Sequence, residues 1–180
     1  LRNGLVLWYP LDKDDKPKVP DKSPKKNDGR AFGGQWVAEG RVGGGYDFDG
    51  KNSYISIPNS KSLNFGKHDF TYSFWVMPQT TDQLQGLIGH AYNPEVRLRR
   101  GGQVELFFHE GVKGGLLSST PLSAGKFAFV TVTRQKGTGS VYVNGKLEGT
   151  VDADFDCSSD KPMVLGRHSA TASDYFSGTI

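Results

Sequence analysis

No stretch of this chain keeps apolar residues at helical spacing long enough to form a helix. Instead, short runs rich in Val, Ile, Thr and aromatics recur between turn residues: GLVLWYPL, GYDFDG, YISIP, FTYSFWVMP, LIGHA, EVRLRR, QVELFFHE, FAFVTVTR, SVYVNGK, PMVLGR and FSGTI. Strand-like segments at this spacing, with 24 Gly and 9 Pro to turn them, predict an all-β sandwich or barrel. At 180 residues the chain fits one domain. A domain of that size buries about 70% of the surface its unfolded chain exposes, enough for a core without disulfides or metals.

Two turns fix register. Asn144-Gly145 between SVYV and KLEG is a two-residue hairpin signal, because both residues tolerate positive φ. In VRLRRGGQVELFFHE, residues 96–110, side-chain parity selects the loop. A two-residue turn at Gly101-Gly102 sets Leu98 opposite Glu105 and mixes the faces. A three-residue loop sets Leu98 opposite Val104 and Val96 opposite Leu106. That register puts Val96, Leu98, Val104, Leu106 and Phe108 on a core face, and pairs Arg97 with Glu105, Arg99 with Gln103 and Glu95 with Phe107 on the other.

Composition excludes several classes. The net charge of +3 is mild and its signs are mixed except at Arg97, Arg99 and Arg100, which argues against a nucleic-acid partner. Cys157 is the only cysteine, so no intrachain disulfide and no Cys-rich zinc site forms, and it reads as a small buried residue. The apolar runs are far too short for a membrane span, for which about 20 residues are needed. The chain begins without methionine and ends at FSGTI inside a strand-like run, so we expect a single domain over residues 1–180, excised from a larger protein and cut within its last strand. The charged, proline-punctuated residues 12–28 read as a long surface loop.

Trp8-Tyr9-Pro10-Leu11-Asp12, then Asp21-Lys22-Ser23 leading to Asn27-Asp28-Gly29, Tyr46-Asp47-Phe48-Asp49-Gly50 with Tyr54-Ile55-Ser56-Ile57-Pro58, Phe70-Thr71 to Trp75-Val76-Met77-Pro78, and Val141-Tyr142-Val143-Asn144-Gly145-Lys146 follow one order. That order resembles the laminin-G-like, concanavalin A-like lectin/glucanase domains over nearly the whole chain. The resemblance implies an antiparallel two-sheet jelly roll with a loop-rimmed ligand face, in a secreted or cell-surface protein. It does not imply one activity, since binding modules, glycosidases, lyases and adhesion domains share the architecture.

Catalysis finds little support in the residues. Glycan hydrolysis needs two carboxylates flanking the scissile bond, and the Glu-x-Asp-x-Glu run of the glucanases is absent. Asp152, Asp154 and Asp156 read as a solvated loop rather than a strand face. Arg97, Arg99, Gln103, His109 and Tyr142 invite comparison with lyases of this fold, but the ordered motifs of those enzymes are missing. No Gly-x-Ser-x-Gly is present, and His68, His90, His109 and His168 are scattered.

Sugar binding asks for an aromatic ring and planar polar side chains on one face. Glu95, Arg97, Arg99, Glu105, Phe107 and His109 supply them, and Tyr92, Asn93, Arg167, His168 and Tyr175 are candidates in neighbouring loops. A second reading stays open, in which Arg97 and Glu105 form an ordinary cross-strand ion pair and a loop caps Phe107. Trp8 and Trp75 read as core or inter-sheet packing, Trp36 as either. Phe48, Ile55, Ile57, Phe70, Phe74 and Val143 read as core. The resemblance leaves calcium open; Asp49 and Asn52 are the best local pair, and a tight Asx turn explains them equally. The expectation is a non-catalytic carbohydrate-binding module, with a polysaccharide or glycan as partner. The alternatives are an adhesion or scaffold domain that binds a protein partner and, behind it, a lyase or hydrolase.

Overall fold

A computed structural model of the chain describes residues 3–91, 94–108 and 115–180. Among these the strands are β1 (Lys18–Val19), β2 (Gly29–Phe32), β3 (Gln35–Val37), β4 (Gly45–Asp49), β5 (Tyr54–Ile57), β6 (Phe70–Pro78), β7 (Gln85–Gly89), β8 (Glu95–Leu98), β9 (Val104–Phe107), β10 (Leu116–Leu117), β11 (Ala128–Gln135), β12 (Thr138–Val143), β13 (Lys146–Asp152), β14 (Met163–Leu165) and β15 (Ser177–Thr179). They form two antiparallel sheets. One runs β1-β2-β5-β14-β7-β8-β9-β10, the other β13-β12-β11-β6-β15-β4-β3. No helix among the described residues is long and apolar enough to cross a membrane.

Period-two alternation builds the core between the sheets. Ile55, Ile57, Val96, Leu98, Val104, Leu106 and Met163 face inward from the eight-stranded sheet, and Phe48, Tyr72, Val76, Val130, Val132, Val141 and Val143 from the other; all are buried. Ile55, Ile57, Phe48, Phe70 and Val143 sit where the sequence places them, with Phe74 partly buried against them. The Asn144-Gly145 turn has both residues at positive φ, and β12 pairs β13 from Val143↔Lys146 outward. Asp152, Asp154 and Asp156 are exposed, alternating with Ala153, Phe155 and Cys157, of which Ala153 and Cys157 are fully buried.

Three expectations fail. GLVLWYPL forms no strand: the Trp8 N–H donates to Asp21 Oδ1 at 2.8 Å, and the Trp8 carbonyl accepts from Lys22 N. The segment is thus pinned to a turn rather than a ladder, and Trp8 is 45% exposed instead of packed. Trp75 is not core either; it lies half-buried on the outward face of β6, tilted against Phe129 at 5.1 Å with the Arg41 guanidinium 5.0 Å above it. Residues 12–28 are more than a surface loop. They contain β1, and buried Asp21 gathers the N–H groups of Trp8, Ser23 and Asn27 and the Ser23 hydroxyl. This segment and Trp36 and Tyr46 enclose a cavity of about 180 Å³.

Candidate functional site

The hairpin β8–β9 has the register that parity predicts: Glu95↔Phe107, Val96↔Leu106, Arg97↔Glu105 and Leu98↔Val104. Its loop is Arg100-Gly101-Gly102, closed by Arg99 N to Gln103 O at 2.8 Å and Gly102 N to Arg99 O at 2.9 Å. Gly101 and Gly102 take φ of 91° and 87°, a region that side chains disfavour. The inward residues are fully buried. The outward ones are not simply wet, since Glu95 is 0%, Glu105 5% and Arg97 6% exposed.

What buries them is a distant piece of chain. After β14 the segment Arg167–Asp174 crosses back over the outward face of β7 and β8. It comes so close that a Cβ at Gly86 would lie 2.2 Å from the Arg167 carbonyl carbon, and one at Gly89 2.7 Å from Ser169 Oγ. Both glycines are therefore required by the approach. The Gly86 N–H donates to Asp174 O at 2.8 Å, which fixes the far end of the segment.

Under this segment the polar groups close on one another. Arg97 Nε and Nη2 donate to Glu95 Oε2 at 2.8 and 2.6 Å. Ser169 N donates to Glu95 Oε1 at 2.7 Å. Arg97 Nη2 also lies 3.1 Å from His168 Nε2. The Thr171 N–H donates to His168 Nδ1 at 3.2 Å, and His168 Nε2 also stands 3.5 Å from Glu95 Oε2. Nδ1 is 3.0 Å from Thr171 Oγ1, which is 2.8 Å from Ser173 Oγ, and Ser173 Oγ donates to Asp174 Oδ2 at 3.1 Å. The Thr171 N–H and this run of hydroxyls thus hold the imidazole in one orientation against Arg97.

The Arg97 guanidinium also stacks on Phe107, its carbon 3.7 Å from the ring centroid. That face of Phe107 carries a cation–π contact and is not a platform for a sugar ring. The expected cross-strand Arg97–Glu105 pair is present, at 3.9 Å, but it is not the closest contact of Arg97. Arg97 binds Glu95 on its own strand, whereas Glu105 lies 3.9 Å from Arg97 and 3.4 Å from Arg99. Two residues apart on a strand, Glu95 and Arg97 share a face, and the second side chain reaches back along it.

Arg99 is at the exposed edge of the cluster, and Arg167 spans from the ring of Tyr54, 4.6 Å away, to the carbonyls of His168 and Thr171. Tyr175 is half-buried ahead of β15 and takes no part in these hydrogen bonds. Tyr92, Asn93 and His109 lie outside the described residues. Reasoning from sequence missed Ser169, Thr171, Ser173 and Asp174. The signal that finds them is Gly86 and Gly89 inside a strand, which marks a close backbone crossing.

The calcium pair behaves as a turn. Asp49 Oδ1 accepts from the N–H groups of Lys51, Asn52 and Ser53 and from the Ser53 hydroxyl, at 2.7 to 3.0 Å. Burial pushes this carboxyl up, but the four donors outweigh it and hold it far below the usual range. A carboxylate ringed by N–H donors is an Asx turn and fits calcium poorly. Among the described residues no three His, Cys, Asp or Glu gather as metal ligands.

A family model described as the Concanavalin A-like lectin/glucanases superfamily, of the laminin-G type, matches residues 49–180. The chain belongs to this superfamily. Among solved structures it is similar to domain 4 of AbnA, a GH43 extracellular arabinanase from Geobacillus stearothermophilus, in complex with arabinotriose. That match has a TM-score of 0.68 and 17% identity, and covers 97% of this chain and 88% of that one. It is also similar to a Bacteroides ovatus protein provisionally described as carbohydrate-binding, with a TM-score of 0.61, 21% identity and 75% of this chain covered; the match spans 40% of that protein. Trypanosoma rangeli sialidase matches with a TM-score of 0.68 and 15% identity over 93% of this chain, which spans 28% of the enzyme. At these identities the likeness is one of fold. No curated protein sequence matches the chain.

Proposed function

We propose that the chain is a non-catalytic glycan-binding module of an exported protein, and that it holds sugar at the outward side of the eight-stranded sheet beside exposed Arg99 and half-buried Arg167, with Glu95, Arg97 and His168 buried beneath as positioning groups. One observation carries this reading: charged and imidazole groups are locked in fixed orientation on a sheet face that the core does not need. A sandwich gains its stability between the sheets, and buried ion pairs on the other face add little of it. Polar groups held in fixed orientation are what recognition of hydroxyls requires. The arabinanase domain, which covers most of its own length with this fold and was solved with arabinotriose, supports the same reading. Glu95, with its two oxygens taken by Arg97 and Ser169, is unsuited to proton transfer, which supports the non-catalytic reading.

A panel of plant, bacterial and animal polysaccharides in affinity gels, run with calcium and with chelator, tests the proposal. The expected result is retardation by at least one glycan, lost in a folded Arg97→Ala variant. Retardation that survives Arg97→Ala moves the site elsewhere, and retardation by none sinks the glycan reading. Turnover of a retained polysaccharide by the pure chain overturns the non-catalytic part.

A further inference from the structure

Resting on the glycan-binding reading, we infer that the cavity between residues 10–22 and the strands β3 and β4 is a second site, which takes the terminal residue of a neutral glycan end-on. It lies where the two sheets part, since β1 is the last strand of one sheet and β3 of the other. Trp36 and Tyr46 are partners across β3 and β4 and so share the inner face, and Pro10, Leu11, Val19 and Pro20 complete the apolar lining. This place is separate from the face beside Arg99 and Arg167, neither of which lines it.

Inside, the cavity is apolar. Trp36 Nε1 donates to Leu11 O and the Tyr46 hydroxyl to Gly33 O, both at 2.7 Å, so each ring has spent its polar atom and offers carbon surface alone. The indole is also fixed in place, because a Cβ at Gly44 would lie 2.7 Å from its Nε1. Charge is confined to the mouth, where Asp12, Lys13, Asp14, Lys16, Lys18 and Lys22 line the cavity and are exposed. Lys13 pairs with Asp15 at 3.1 Å and Lys18 with Asp28 at 2.8 Å, so the mouth carries both signs without a strong excess of either. A ligand charged throughout finds no partner inside, and one apolar throughout strips water from the mouth without replacing it. A sugar ring meets both demands, with its C–H face on the indole and its hydroxyls among carboxylates that accept and ammonium groups that donate. The 180 Å³ is roughly the volume of six waters, room for one ring but not two, so a glycan chain enters by its end.

The probes are the methyl glycosides of arabinofuranose, fructofuranose, galactose, xylose and glucose. Each is titrated into the full 180-residue chain while its three indole N–H signals are followed by NMR. Trp8 and Trp75 do not line the cavity and serve as internal controls. At least one glycoside is expected to shift the Trp36 signal alone, with a dissociation constant on the order of 1 mM. Pro20→Phe, which puts a ring into the cavity, is expected to weaken that binding at least roughly tenfold. For the same sugar, affinity per chain end should stay within about twofold from dimer to tetramer, because only the last residue enters. Affinity that climbs steeply with length overturns end-on binding. Binding that moves Trp8 or Trp75 but not Trp36, or that survives in a folded Pro20→Phe variant, overturns the site while the glycan reading stands. If Pro20→Phe does not fold, the Trp36 signal of the natural chain decides. An equal shift by p-cresol means that the cavity takes any planar ring, and the sugar assignment fails. No shift by any glycoside at about 50 mM overturns the site as well, and retention in the affinity gels then decides the glycan reading separately.

Discussion

Replacing Arg134 tests what holds the lower end of the sandwich. Arg134 lies near the end of β11, at a position whose alternation faces the core, and is 2% exposed. Among the described residues no carboxylate stands within ion-pair distance of it. Its guanidinium instead donates to Phe155 O at 2.9 Å, Gly66 O at 2.7 Å, His68 O and the Cys157 thiol at 3.0 Å, and faces the Phe70 ring at 5.3 Å. The loop that holds Gly66 and His68 is thus joined to the one that holds Phe155 and Cys157. Burial pushes the Cys157 thiol up to about 11 although Arg134 opposes it, so the sulfur remains a neutral acceptor.

Arg134→Met keeps the aliphatic stem and removes every donor. The carbonyls of Phe155 and His68 lose their guanidinium donor at about 1 kcal/mol each, Gly66 O keeps the Cys157 N–H, and the lost charge-assisted bonds bring the total to roughly 3–4 kcal/mol after the relief of desolvating a cation. Arg134→Lys keeps the charge, but one ammonium cannot reach carbonyls on both sides, and it is more strongly hydrated than a guanidinium. The lysine variant is therefore expected to be at least as damaging as the methionine one. Urea denaturation at neutral pH reads this directly: with a slope of about 2 kcal/mol/M, the midpoint falls by roughly 1.5–2 M. A lysine variant within about 1 kcal/mol of the natural chain refutes the reasoning, because charge rather than the fork would then be what matters.

Two further outcomes follow from close packing and burial. Gly86→Ala forces a methyl group onto the Arg167 carbonyl, so it should displace the segment that carries His168 and cost about 2 kcal/mol in urea melts; unchanged glycan retention in that variant refutes the role of the segment. His90 is fully buried, and burial lowers its pKa despite the carbonyls of Lys161 and Leu63 and the charge of Asp160. The unfolded chain therefore binds the proton first, and stability that is complete above pH about 6.5 declines as the pH drops below it toward the lowered folded value. Thermal melts from pH 7 to 5 should show this slope, and a folded His90→Gln variant should lose it.

The elements that were legible in the sequence are those whose causes are local. Parity alone set the β8–β9 register, since a slip of one residue would have turned Val96, Leu98, Val104 and Leu106 outward. Asn144-Gly145 set the other hairpin by its φ requirement. Where a distant contact decides, the reading failed. Trp8 looks like a strand residue until Asp21, thirteen positions later, takes its N–H. Trp75 has the apolar neighbours of a core residue, yet its parity on β6 is outward, and alternation counted from Phe70 would have shown it. At the site, sequence brought Glu95, Arg97, Glu105 and Phe107 to one face in the right register but missed the tighter Glu95–Arg97 contact, which is completed by His168 and Ser169, more than seventy residues away.

That long reach also bears on why the charges are there at all. A strand face that only had to shed water could carry Thr and Val, and replacing a buried ion pair by apolar groups is often neutral or favourable for stability. Here a segment of small and hydroxyl residues is laid across two strand glycines, each of which weakens its strand. What results is a guanidinium whose plane is set by Phe107, whose edge is set by Glu95 and whose partner imidazole is held in place by the Thr171 N–H and hydroxyl. None of these restraints is needed to close the core, which lies on the other side of the same strands. Under the proposed function, each removes a degree of freedom that binding would otherwise have to remove, which lowers the cost of recognition rather than the free energy of folding.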